Sequence, residues 1–229
     1  GIGLNPTTLP EPHEGFHQAK RVALTFDDGP RPGITEPLLA LLAQYGAKGT
    51  FLVTGIMSER YPELVRAISA GGHEIGSHTY SHFRLDTLSP EQQMIEMVRA
   101  KVVIDDALGH ASPRFMRPPG GHYDAQIKRS LAAVGYWPVF WNINCGSYTE
   151  NDPDAAAAAI VRRCTAGSIL LLHNGPDNTM ALLPHLLRRL RDGGWQCVGL
   201  TEIITGPDGK PRQGTPAIKP AGVETYGAN

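Results

Sequence analysis

Short apolar runs and stretches of helical periodicity take turns along most of the chain. Residues 22–26 form a compact apolar run of strand length. Leu38, Leu41, Leu42 and Tyr45 then recur at helical spacing within 34–45, and Gly46 and Gly49 interrupt the pattern. Residues 50–54 predict the next strand, 63–70 a helix ended by Gly71 and Gly72, and 73–77 a short strand. Ser89, Pro90 and Gln92 supply the N-cap, N1 proline and N3 glutamine of a capped helix start, and that helix is expected to reach about Leu108, where Gly109 stops it. Residues 115–116 predict a short strand, 123–134 a helix stopped by Gly135, and 138–142 a strand carrying Val139, Phe140 and Trp141. Asp152, Pro153 and Asp154 cap an alanine-rich helix through Arg163, with acidic residues at its positive end. A buried strand at 168–172, a helix at 180–191 and a last strand at 196–199 complete the series.

Strands alternating with helices predict βαβ units and a parallel sheet, hence an α/β fold. Roughly seven such units in ~190 residues suit a distorted (β/α) barrel of about seven strands better than an open doubly wound sheet. No G-x-G-x-x-G follows the first strand, which disfavours a dinucleotide fold. Residues 1–20, with Pro6, Pro10 and Pro12, show no sustained periodicity, and residues 205–229 carry Pro207, Pro211, Pro216 and Pro220 among glycines. The expected organisation is therefore an irregular N-terminal segment, a single domain over 21–204, and a Pro/Gly-rich tail.

Composition narrows the classes. With 229 residues and 41% hydrophobic positions the chain can bury a sizeable core. Lys+Arg 21 against Asp+Glu 22 gives a net charge of −1, so no basic excess exists to drive counterion release, and a nucleic-acid partner is not expected. No apolar run approaches the ~18–20 residues of a membrane span, so no integral membrane segment is expected. Cys145, Cys164 and Cys197 lack C-x-x-C spacing; an odd count allows at most one internal disulfide, and three small buried apolar residues is the favoured reading. The chain begins at Gly1 without Met or a visible leader, as a trimmed form would.

The polar residues that follow the apolar runs carry the chemistry. Asp27-Asp28-Gly29-Pro30 follows the first strand, His78 and His82 the third, Arg117-Pro-Pro-Gly-Gly121 the fourth, Asn142, Asn144, Ser147 and Tyr148 the fifth, and His173-Asn174 the sixth. Five strands with chemically capable residues at their C-terminal ends match the rim on which barrel active sites are built. Adjacent carboxylates at a strand end splay apart, so one of Asp27 and Asp28 can bind a metal while the other stays free as a base; a turn or helix cap is the competing role. His78-x-x-x-His82 has the spacing of a two-histidine metal grip. His73 reads as structural, and His13, His17, His110, His122 and His185 as solvated. Arg117 suits pairing with a rim carboxylate, Asp27 foremost. His173, ending a very apolar strand, is either a satisfied core histidine or a general acid. Trp141 and Tyr148 line a sugar groove or, for Trp141, belong to the core.

Thr25-Phe26-Asp27-Asp28-Gly29, His78-Thr-Tyr-Ser-His82, Arg117-Pro-Pro-Gly-Gly121 and Leu171-Leu172-His173 resemble, in order and spacing, the motifs of polysaccharide deacetylases, the NodB-type domains of carbohydrate esterase family four. The resemblance spans about residues 20–204. It implies a distorted (β/α) barrel and a divalent metal, zinc first, with cobalt, nickel or manganese as alternatives. It implies Asp28, His78 and His82 as metal ligands, Asp27 as catalytic base held by Arg117, and His173 as general acid. Leu171 would shape the acetyl-methyl pocket, and the backbone N–H of Gly120 would face the oxyanion. The implied reaction removes N-acetyl groups from N-acetylglucosamine residues of peptidoglycan, chitin or a related glycan through a metal-activated water, releasing acetate. An O-acetyl esterase acting on xylan and a non-catalytic glycan-binding module are the alternatives. Such a substrate implies an extracytoplasmic location, and a monomer is expected.

Two departures from the family pattern stand out. Gly120 occupies a position where the family commonly has Tyr, which predicts a looser loop. The fourth motif reads Trp141-Asn-Ile-Asn-Cys-Gly-Ser147-Tyr148, with Ser147 in place of the carboxylate that accompanies the catalytic histidine. That loss predicts an altered pH optimum, lower activity or a different substrate. Glu150 and Asp152 are the candidate replacements.

Overall fold

The computed structural model describes residues 20–148 and 152–205, so the two expected irregular flanks lie outside the described residues apart from their inner ends. Strand β1 (Arg21–Asp27) lies inside the sheet and pairs along its length with strands on both sides. It is followed by α1 (Thr35–Gln44), β2 (Gly49–Val53), α2 (Gly55–Arg60), α3 (Pro62–Ala70), β3 (Glu74–Ser77), α4 (Pro90–Leu108), β4 (Phe115–Met116) and α5 (Ala125–Val134). Then come β5 (Trp137–Pro138), β6 (Ile143–Asn144), α6 (Pro153–Arg163), β7 (Ser168–His173), α7 (Thr179–Asp192), β8 (Gln196–Cys197) and α8 (Leu200–Ile204). The parallel sheet runs β5-β4-β3-β2-β1-β7-β6, and β8 pairs with the first residues of β1. With helices around the curled sheet, this is the distorted (β/α) barrel expected from the strand–helix alternation.

Side-chain alternation along β1 and β7 separates two apolar layers. Val22, Leu24, Phe26, Leu170 and Leu172 join the helices in one core cluster. Ala23, Ile169 and Leu171 point the other way, with Phe115, Val139, Phe140 and Trp141, into the barrel interior. Leu200, Ile203 and Ile204 of α8 belong to that interior cluster as well. Both layers are dry, which explains why the strands read as continuous apolar runs.

Most expected boundaries hold within two residues. Ser89 and Gln92 form a reciprocal capping box, and Gly109 closes α4 in the left-handed conformation at φ 75°. The expected strand at 138–142 is a correction. Ladder pairing exists only at its flanks, β5 with β4 and β6 with β7. Between them, the carbonyls of Val139 and Phe140 accept hydrogen bonds from Arg117, at 3.3 and 2.9 Å, instead of from a strand. The short helices α2 and α8 went unforeseen, having too few turns to show a period. The three cysteines are free, Cys145 buried and the other two half-buried.

The capping box of α4 is exposed, so Ser89→Ala should cost about 1 kcal/mol. Urea denaturation checks this; an unchanged midpoint would show that the helix start is held by packing alone.

Candidate active site

The C-terminal ends of β1, β3, β4 and β7 converge on a cavity of about 270 Å³. Its lining includes Asp27, Asp28, His78, His82, Gly120, Trp141, Leu171 and His173. Parallel register sets Asp27 directly beside His173 on neighbouring strands. Eight of the ten site residues expected from the sequence therefore face one space. Arg117 stands behind it and Tyr148 elsewhere.

Arg117 is wholly buried. One Nη1 contacts Asp27 Oδ1 at 2.7 Å and Thr25 Oγ1 at 2.9 Å. The remaining bonds go to the Val139 and Phe140 carbonyls. Asp27, itself 4% exposed, is thus oriented by a charged fork that is itself held by three further hydrogen bonds.

Asp28, His78 and His82 offer ligand atoms that all lie within 4.8 Å of one another. His78 Nδ1 lies 2.7 Å from the Arg117 carbonyl, which can only accept, so Nδ1 carries the proton and a neutral ring keeps its lone pair on Nε2. That Nε2 lies 3.4 Å from Asp28 Oδ1, and His82 Nε2 lies 3.1 Å from the same oxygen. Asp28 Oδ1 is nonetheless a buried oxygen without a hydrogen bond of acceptable geometry. Burial alone would lower the His78 pKa, but Asp27 and Asp28 outweigh it and hold it above the ordinary value. Burial would likewise raise that of Asp28, but the two imidazoles bring it well below the carboxylate range. One carboxylate oxygen and two imidazole nitrogens form the donor set a borderline-soft divalent ion takes.

The backbone that carries these ligands is strained. Among the described residues, the non-glycine positions at positive φ are Asp28 (81°), Thr79 (68°) and His82 (65°). Glu96 on α4 holds the histidine loop from below: its Oε2 accepts from Tyr80 N and Ser81 N at 3.1 and 2.9 Å, and its Oε1 from Ser81 Oγ at 2.7 Å. The first N–H groups of α2 bond to the Thr79 and Tyr80 carbonyls, each at 2.9 Å. A Cβ on Gly55 would meet Tyr80 Cδ2 at 2.4 Å, so the close approach of α2 requires glycine there.

Three expectations need correction. Tyr148 packs against the helix-facing core cluster and does not line the cavity. His122, expected to be solvated, has a side chain only 14% exposed and lines the cavity. The loop at Gly120 is not loose: Pro119–Gly121 form a 3-10 turn closed by Gly121 N to Pro118 O at 2.9 Å. Gly120 sits at φ 65°, and a Cβ there would meet His122 Cδ2 at 2.8 Å, so the imidazole occupies the space a larger residue would claim. Trp141 serves both readings, buried in the interior cluster and lining the cavity. His73 is structural: its Nδ1 accepts from Gly49 N at 3.1 Å, and burial beside Lys48 lowers its pKa to about 4.

Of the two candidate replacement carboxylates, Asp152 is engaged elsewhere. Asp152 caps α6 through Asp154 N at 3.0 Å, and Glu150 lies outside the described residues. Asp177, in the β7–α7 connection, holds His173 Nδ1 at 3.0 Å instead. Burial opposes the charged imidazole, but Asp177, then Asp27 and Asp28, bring its pKa up to about 9. The sequence hid Asp177 because a carboxylate four residues beyond the strand end has no motif spacing of its own.

The profile of the polysaccharide deacetylase family matches residues 15–139. A peptidoglycan-N-acetylglucosamine deacetylase of Bacillus cereus is 32% identical over 190 residues, covering 81% of this chain and 88% of that protein. A family 4 carbohydrate esterase from Streptomyces lividans, solved in complex with acetate, has a TM-score of 0.73 at 30% identity, over 84% of this chain and 97% of the other. A family 4 acetyl xylan esterase from Clostridium thermocellum, solved with a cobalt ion, gives 0.73 at 30% identity over 81% and 90%. The chain belongs to the polysaccharide deacetylase family. It is a hydrolase of that class.

Replacing Arg117 with Met leaves Asp27 buried without its partner, and should cost about 3–5 kcal/mol. Adding Asp27→Leu removes the stranded charge and should restore most of that stability. Denaturant titration of both variants checks the pair; a loss below about 1 kcal/mol in the single variant would contradict a buried ion pair here.

Proposed function

We propose that this protein removes N-acetyl groups from N-acetylglucosamine residues of a cell-wall or matrix glycan, with a divalent metal, zinc foremost, as cofactor. The observation that carries this reading is the unpartnered Asp28 oxygen facing two histidine nitrogens, within one cavity that also holds Asp27 and His173. Asp28, His78 and His82 would hold the ion, which supplies Lewis acidity for activating water and polarising the acetyl carbonyl. Asp27, fixed by Arg117, takes the proton of the attacking water. The Gly120 backbone N–H faces the developing oxyanion. His173 donates a proton to the amide nitrogen as the carbon–nitrogen bond breaks, so that acetate and a free amine leave. The amine is too basic to depart without that proton, which gives the protonated imidazole a purpose.

Leu171, 6% exposed at the cavity wall, suits the acetyl methyl. Trp141 offers an aromatic face to a sugar ring. Among the described residues, no helix is long and apolar enough to cross a membrane. A polymer of this class lies outside the cytoplasm, and the reading places the enzyme there with it.

Acetate release from N-acetylglucosamine oligomers should vanish on chelation and return with zinc. Asp27→Asn should lower it on the order of 10³-fold while zinc stays bound. Release from acetylated xylan, with none from the N-acetyl oligomers, would replace the amidase reading with an esterase. Sugar binding without release from either substrate would leave a binding module.

A further inference from the structure

We propose that Asp177 is the positioning residue for His173: from the β7–α7 connection it fixes the imidazole ring through Nδ1 and leaves Nε2 to the cavity. The inference rests on the reading of His173 as general acid.

The geometry ties both ends of the contact. Asp177 Oδ2 lies 3.0 Å from His173 Nδ1. Asp177 Oδ1 accepts from the Thr179 backbone N–H at 2.9 Å, at the positive end of α7. Thr179 returns the connection, its Oγ1 accepting from the His173 backbone N–H at 3.1 Å. Asp177 N donates to the Gly175 carbonyl at 2.9 Å, closing the turn. The carboxylate is thus anchored through Thr179 and set beside the ring. A carboxylate only accepts, so it selects the ring form with a proton on Nδ1. The nitrogen on the other edge of the ring, Nε2, is the one left to exchange a proton with substrate.

This partner stands where the sequence left a gap. Ser147 occupies the fourth-motif position of the usual carboxylate, and Asp152 is committed to α6. Asp177 approaches from a different connection, so the site keeps an ionised partner for the histidine without that motif. The charged groups facing the imidazole are then Asp27 and Asp28 from β1 and Asp177 from its own loop. Asp27 is occupied by Arg117 and Asp28 belongs to the candidate metal set, so among the described residues Asp177 is the carboxylate left to orient the ring.

A role confined to capping α7 gives different results, which makes the inference testable. Three variants, Asp177→Ser, Asp177→Ala and Asp177→Glu, are compared with wild type in the zinc-loaded protein. Imidazole nitrogen chemical shifts recorded above pH 9, where the ring is neutral, report the His173 tautomer, and acetate release gives kcat and KM. Serine keeps a cap for Thr179 N–H but cannot reach the ring. The expected result is loss of the Nδ1-protonated preference in the serine and alanine variants. Their kcat should fall on the order of 100-fold with KM within about twofold, and glutamate should recover part of the loss. Unchanged nitrogen shifts, or a serine variant with wild-type kcat, would overturn the assignment. Wild-type protein that releases no acetate would instead defeat the deacetylase reading, while the nitrogen shifts would still decide whether Asp177 sets the ring.

Discussion

The guanidinium of Arg117 is cut off from water and makes four hydrogen bonds to two separate stretches of chain. Desolvating a permanent charge costs several kcal/mol, which an ion pair and well-placed hydrogen bonds must offset. Those partners are structural and chemical at once. Thr25 and Asp27 tie the guanidinium to β1. The Val139 and Phe140 carbonyls tie it to the segment that leaves β4 and reaches β7. The same side chain thus orients the carboxylate read as catalytic base and replaces strand pairing at the seam of the barrel. Its own carbonyl fixes the tautomer of His78, so one residue acts on both the base and the metal set.

Around that anchor the site is held against local preference. Left-handed backbone at residues bearing a Cβ costs about 1–3 kcal/mol each, and here such residues carry or adjoin the candidate metal-ligating side chains. The surroundings over-determine them. Glu96 binds two consecutive backbone N–H groups of the histidine loop, and the start of α2 binds two of its carbonyls. With donors above and acceptors below both satisfied, the loop has little to gain by relaxing, and the two imidazoles stay aimed at Asp28.

The readable parts of this structure are those with a local physical signature. Apolar runs mark β1, β2 and β7 because both faces of those strands are dry, and the box at Ser89 and the glycine at 109 mark α4 because caps are chemistry of adjacent residues. Asp27, Asp28, His78, His82, Arg117 and His173 were legible because each follows a strand at a motif spacing. What was hidden depends on distant groups. The strand expected at 138–142 fails because an arginine some twenty residues earlier takes its carbonyls. His122 is drawn into the cavity by the conformation of Gly120, and Tyr148 turns to the helix layer. Asp177 is invisible until the turn after β7 folds back on its own strand.

The register between β1 and β7 sets Asp27 and His173 on one rung of the ladder. Side chains alternate with every residue, so a shift of one position exchanges the cavity face for the helix face. For sequence change over evolutionary time, substitution and length change are therefore unequal. Either strand can exchange one apolar residue for another of similar volume, but a single insertion or deletion within it separates Asp27 from His173. The connections beyond the strand ends carry no such frame, and the presence of the histidine's carboxylate partner in one of them, away from the fourth motif, is the kind of relocation that freedom permits.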